Sequence, residues 1–134
     1  MKKSFFHTST VLLLIVMCSI SCKPDQQPTS KFQLLCKTWQ IEKLVINDTV
    51  FPLTAQDLNY TVTYQNDSTY KDSDGMAGRF ELQNDGALLV ETLQIGGNGK
   101  FKYNVETLNN SNLSLKVVSD SVKNINIRYF YHAK

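Results

Sequence analysis

From Thr38 onward the chain alternates apolar and polar residues with a period of two, the pattern of strands with one buried face. Leu58, Tyr60, Val62 and Tyr64 alternate with Asn59, Thr61, Thr63 and Gln65. Phe101, Tyr103 and Val105 alternate with Lys102, Asn104 and Glu106, and Ile125, Ile127, Tyr129 and Tyr131 with Asn126, Arg128, Phe130 and His132. Turn formers punctuate the runs: Asn66-Asp67-Ser68, Asp74-Gly75, Asn84-Asp85-Gly86, Gly96 to Gly99, and Asn109 to Asn112. The pattern predicts eight strands, near 38–46, 58–65, 69–73, 78–83, 87–93, 100–108, 113–119 and 124–132. Links this short make consecutive strands antiparallel neighbours, and closing the sheet removes its two open edges. The predicted class is therefore all-β, an eight-stranded antiparallel up-and-down barrel over residues 30–134. Such a barrel is either filled by its own side chains or holds one small ligand.

The stretch Leu34 to Ile41 is predicted to seal one end. A short capped turn, Ser30 through Leu35, leads into a strand carrying Trp39, the only tryptophan. An indole there fills the end of a closed sheet, and its N–H can meet a backbone carbonyl.

Ahead of the barrel, Met1-Lys2-Lys3, an apolar run from Val11 to Met17 and the small residues before Cys22 have the layout of a signal peptide, predicted over residues 1–21. The run is shorter than the ~20 apolar residues of a spanning helix. Cys22 resembles the cysteine of a bacterial lipobox, whose sulfur takes diacylglycerol and whose freed amine takes a fatty acyl chain such as palmitate; ordinary cleavage nearby, releasing a soluble domain, is the alternative. Several acyl chains together would hold the protein on a membrane. Residues 22–29, with two prolines and no aliphatic side chain after the cysteine, are read as a lipidated tether. Lys23 and Asp25 point to the outer membrane of a cell envelope, facing the periplasm or the cell surface.

Removing residues 1–21 takes Lys2 and Lys3 and leaves 12 basic residues against 12 acidic ones. A neutral chain without a basic cluster argues against nucleic acid as a partner. Cys36 would be left without a partner for an intrachain disulfide and is read as a small buried apolar residue.

The order of the motifs Leu35-x-x-x-Trp39, Tyr64-x-Asn66-Asp67, Gly78-x-Phe80, Tyr103-x-Val105-x-x-Leu108, Leu113-x-Leu115 and an aromatic last strand resembles the bacterial lipocalin-like domain family, many of them small secreted lipoproteins. Lys37 stands where that family usually has glycine. The resemblance implies a lipocalin-like barrel, and an arginine of the last strand stacked on the tryptophan. Arg128 is the candidate, although alternation places it on the face opposite Tyr129 and Tyr131.

Five of the six tyrosines, Tyr60, Tyr64, Tyr103, Tyr129 and Tyr131, fall on the inward face. They either border a partly wet cavity or sit near the barrel ends with their hydroxyls in water. The candidate pocket residues are Trp39, Tyr60, Val62, Tyr64, Phe80, Tyr103, Tyr129 and Tyr131. The chemistry for catalysis is poor, since His132 is the only imidazole outside the signal peptide and nothing near Cys36 activates it. No enzyme activity and no cofactor is expected. Asp72, Asp74, Gly75 and Glu81 fit part of a calcium loop, but Tyr70 occupies its first position and helical flanks are missing, so no metal is expected either. Asp48-Thr49, Asp67-Ser68 and Asp120-Ser121 resemble sites of bacterial O-glycosylation at Thr49, Ser68 and Ser121, or are simply turn sequences. The leading functional expectation is a membrane-anchored barrel holding a small hydrophobic ligand. The alternative is a filled-core module that docks an envelope protein, a glycan or a protease.

Overall fold

The structure is a computed structural model and describes residues 29–95, 99–118 and 125–134. The predicted signal peptide, Cys22, all of the tether but Thr29, and Ser121 lie outside the described residues. Among the described residues a single-turn helix, α1 (Lys31–Leu35), precedes nine strands: β1 (Thr38–Ile46), β2 (Thr49–Phe51), β3 (Thr61–Tyr64), β4 (Thr69–Asp72), β5 (Ala77–Gln83), β6 (Leu88–Ile95), β7 (Lys100–Leu108), β8 (Asn112–Val117) and β9 (Ile127–Ala133).

Every neighbouring pair is antiparallel, and β1 pairs with β3 on one side and β9 on the other, so eight strands close into a ring. The ninth, β2, is a short extension folded back on the far end of β1, pairing Leu44 with Phe51 and Ile46 with Thr49. Its two-residue turn, Asn47-Asp48, has positive φ at both positions (49° and 62°). That geometry matches the right-handed twist of the flanking strands, and Asn and Asp tolerate it. The eight strands of the ring overlap the eight read from the sequence, while β2 was not anticipated. The expected strand at 58–65 begins only at Thr61, because Asp57–Asn59 forms a 3-10 turn and leaves Leu58 exposed. Asp57 fixes this turn by accepting hydrogen bonds from the Thr54 N–H and hydroxyl, both at 2.7 Å.

The strict two-residue rhythm also breaks within β1. A bulge between Ile41 and Lys43 inserts an extra residue opposite β9, so the inward series runs Trp39, Ile41 and then Leu44. A second bulge, between Val105 and Thr107, does the same for β7.

One end of the ring is closed by the Trp39 region. Ser30 caps α1 in a reciprocal box: its hydroxyl accepts from the Gln33 N–H and its own N–H donates to Gln33 Oε1, both at 3.2 Å. The helix carbonyl of Leu35 accepts the Trp39 indole N–H at 2.9 Å. Phe32 stacks on Phe80 (centroids 5.6 Å apart), and Leu35, Trp39, Leu89 and Leu113 are completely or almost completely buried. Lys31 lies against Gly86 in the β5–β6 turn, where φ is +80° and a side chain would collide with the lysine stem. These contacts make a solid floor.

Candidate functional site

Above the floor the barrel is hollow. A cavity of about 750 Å³ opens at the end where β4 meets β5 and β6 meets β7. That size falls in the range of roughly 300–1,000 Å³ typical of small-molecule sites. Its aliphatic wall comes from Ile41, Leu44, Val62, Leu115 and Val117; Tyr60, Tyr70, Tyr103, Tyr129 and Tyr131 supply the aromatic wall. Phe101, Met76, Asp57, Asp74, Lys100 and Lys102 stand at the rim.

Of the eight candidate pocket residues, Tyr60, Val62, Tyr103, Tyr129 and Tyr131 line this cavity. Trp39, Tyr64 and Phe80 do not. They lie nearer the floor, where Tyr64 meets Phe80 edge-on at 5.1 Å and Trp39 is wholly buried beside Leu35. The sixth tyrosine, Tyr70, also faces inward and is buried, so all six tyrosines share the interior. They are not gathered at the barrel ends with hydroxyls in water: Tyr64 and Tyr131 are buried, and the others border the cavity.

Glu91 went unrecognised in the sequence and is the cavity's most distinctive group. It lies in the wall on β6, only 7% exposed, and its Oε1 accepts the Tyr64 hydroxyl at 2.5 Å. Burial pushes its carboxyl up to about 7; hydrogen bonding from Tyr64 and Tyr103 pulls against that, and the nearby Asp72 adds to the rise. The signal for Glu91 was its phase with Leu89, two residues earlier and fully buried. Apolar neighbours on both faces of Leu88–Val90 obscured it.

Asp72 is the second carboxyl on the wall. Its Oδ2 accepts the Tyr60 hydroxyl at 3.1 Å, while Oδ1 accepts the N–H groups of Asp74 (3.0 Å) and Met76 (2.8 Å), fixing the β4–β5 turn. Burial, then the charge of Asp72, holds the Tyr60 phenol far above its ordinary value; Tyr70 is raised to about 12, by burial first and then by Glu91. These phenols therefore stay neutral, and Tyr60 acts as a hydrogen-bond donor to Asp72.

The remaining candidates lie elsewhere. Arg128 is not on Trp39: it pairs across β1 with Val45 on the outer face and binds Asp48 (3.0 Å) and Glu106 (3.3 Å). Lys37 takes that place instead, with Nζ 5.3 Å from the indole centroid while donating to the Asn110 carbonyl at 3.1 Å. Cys36 is half-buried, and burial followed by the charge of Asp67 raises its thiol, which disfavours the reactive thiolate. Thr49 is exposed on β2, Ser68 sits half-buried in the β3–β4 turn at φ +64°, and His132 is exposed on β9. Asp72 and Asp74 share a turn without forming a cation cage, and among the described residues no group of three or more His, Cys, Asp or Glu could hold a metal ion.

Comparison with solved structures agrees with the fold. A crystal structure of a lipocalin-like protein from Bacteroides uniformis ATCC 8492 superposes with a TM-score of 0.54 at 17% identity, covering 75% of this chain and 99% of that one. The barrel is lipocalin-like in fold. No family model matches the sequence, and no curated protein does.

Proposed function

We propose that this protein binds a small, largely apolar molecule inside a lipocalin-like barrel and is held on a cell-envelope membrane, in the outer membrane, by lipid on Cys22. The cavity carries the first half of this reading: a chamber of about 750 Å³ with aliphatic and tyrosine walls is suited to burying an apolar body and orienting it with a few hydroxyls. It also weighs against the filled-core module, which needs a solid interior. Support for the anchor is the lipobox-like sequence before Cys22 and the proline-bearing tether after it. Among the described residues the site offers positioned donors and carboxyls but no nucleophile with an adjacent base, which favours carriage over catalysis.

Docking of a partner has its own support at the mouth. Val50, Phe51, Met76, Ile95 and Phe101 are exposed apolar residues at that end of the barrel. A partner seated there would deliver or receive the ligand rather than replace it.

Fluorescence titration with N-phenylnaphthylamine tests the binding function. Saturable binding of about one probe per protein is expected, and Val117→Trp, which fills the cavity from β8, should abolish it while leaving the thermal midpoint close to that of the parent. A parent protein that leaves the probe in water would overturn the reading.

A further inference from the structure

The cavity's charges are segregated by depth. Asp57, Asp74, Lys100 and Lys102 stand exposed at the rim, two of each sign, while the two charged groups of the wall below, Asp72 and Glu91, are both carboxyls. Deeper in, the lining contains carboxyls, phenols and aliphatic groups, with no cation among the described residues. From this arrangement we propose that the chamber takes an organic cation: an amine or ammonium head on an apolar body, the head set against Glu91 and Asp72 among the tyrosine rings. The proposal rests on the reading of the barrel as a small-ligand binder and names the class of ligand.

Three features converge on it. A carboxyl buried among tyrosine rings and aliphatic groups is costly to ionise without a partner, and among the described residues the deep wall supplies hydroxyls and a second carboxyl but no positive charge. A ligand ammonium would provide that charge in a site poor in water, where the attraction is stronger than at the surface. The faces of tyrosine rings attract a desolvated cation through their quadrupoles, and five tyrosines border the same space. Finally, the geometry discriminates against the opposite class. A ligand carboxylate placed at that depth would meet Glu91 and Asp72, while a neutral head would gain only hydrogen bonds.

The groups facing Glu91 come from four strands and the segment leading into one of them: Tyr60 before β3, Tyr64 on β3, Tyr70 and Asp72 on β4, Tyr103 on β7 and Tyr131 on β9. None is basic. A bound ammonium would therefore draw the proton off Glu91, and its affinity would rise with pH through about 7, where the free carboxyl titrates.

Decylamine, decanol and decanoate share one apolar body and differ in the head, so calorimetric titration of the protein with each separates the possibilities. At about pH 8, with Glu91 ionised, decylamine should bind about tenfold or more tightly than decanol, a margin within reach of one desolvated cation on aromatic rings. Decanoate should bind most weakly. Glu91→Gln, which keeps the side chain's size, should lose most of the preference for the amine while still binding decanol, and that retained binding reports an intact barrel. Equal affinity for the three, or tighter binding of decanoate, would overturn the cation proposal and leave small-ligand binding standing. Failure of all three to bind would remove both.

Discussion

Glu91 is where a single residue sets a property of the whole fold. Its carboxyl titrates near 7 in the barrel against an ordinary value of 4.5, so between those pH values the folded chain keeps a proton that the unfolded chain releases. The stabilisation is complete below about pH 4.5 and is lost as pH rises through about 7, an effect on the order of 3 kcal/mol. Urea unfolding across that interval should show stability falling toward neutral pH in the parent, and Glu91→Gln should flatten the slope. An unchanged slope in the variant would assign the dependence to other groups. The sequence concealed this residue for a physical reason. Leu88, Leu89 and Val90 are apolar on both faces of β6, so alternation gave no phase by which to orient Glu91. Arg128 illustrates a different limit: the register of β9 sends it to Asp48 and Glu106, and Lys37, whose place over Trp39 the sequence did not suggest, covers the indole instead.

At the scale of elements, the floor depends on a five-residue helix that has little stability alone. What holds α1 is its capping box, the indole bond to Leu35, and the stacking of Phe32 on Phe80. Ser30→Ala should cost about 1 kcal/mol, the usual value of an N-cap. Trp39→Ala should cost roughly 3–5 kcal/mol, since the indole is fully buried and its loss leaves a void beneath the cavity. Chemical denaturation of the two variants checks the order; a cap worth more than the tryptophan would contradict this account of the floor. The capped turn and the tryptophan were legible because both have local signatures. The bulges in β1 and β7 were not, because an inserted residue is defined only against the partner strand. Nor was β2, three exposed residues whose strand character comes from pairing with β1.

For the whole molecule, the ring of eight strands followed from turn chemistry and alternation, which fix neighbours and inward faces before any tertiary contact is known. The hollow did not follow. Whether tyrosines fill a barrel or border a space depends on volumes summed over many side chains, and here Trp39, Leu35, Leu89 and Leu113 fill one end while the other stays open. The two ends differ in chemistry as well: aromatic and aliphatic packing below, carboxyls, lysines and exposed apolar residues above. With lipidated protein on liposomes, a spin label at Met76→Cys on the rim should remain open to a water-soluble relaxation agent. A label at Gln33→Cys on α1 should lie closer to the lipid. The reverse order would place the mouth against the bilayer.

Ser30, eight positions after Cys22, caps the helix on the floor side, the closed end of the barrel. A protein moored through that cysteine would ride upright like a cup on its stem, its brim turned to the aqueous compartment. Cargo would then be exchanged with dissolved molecules or a passing protein rather than drawn straight out of the lipid beneath.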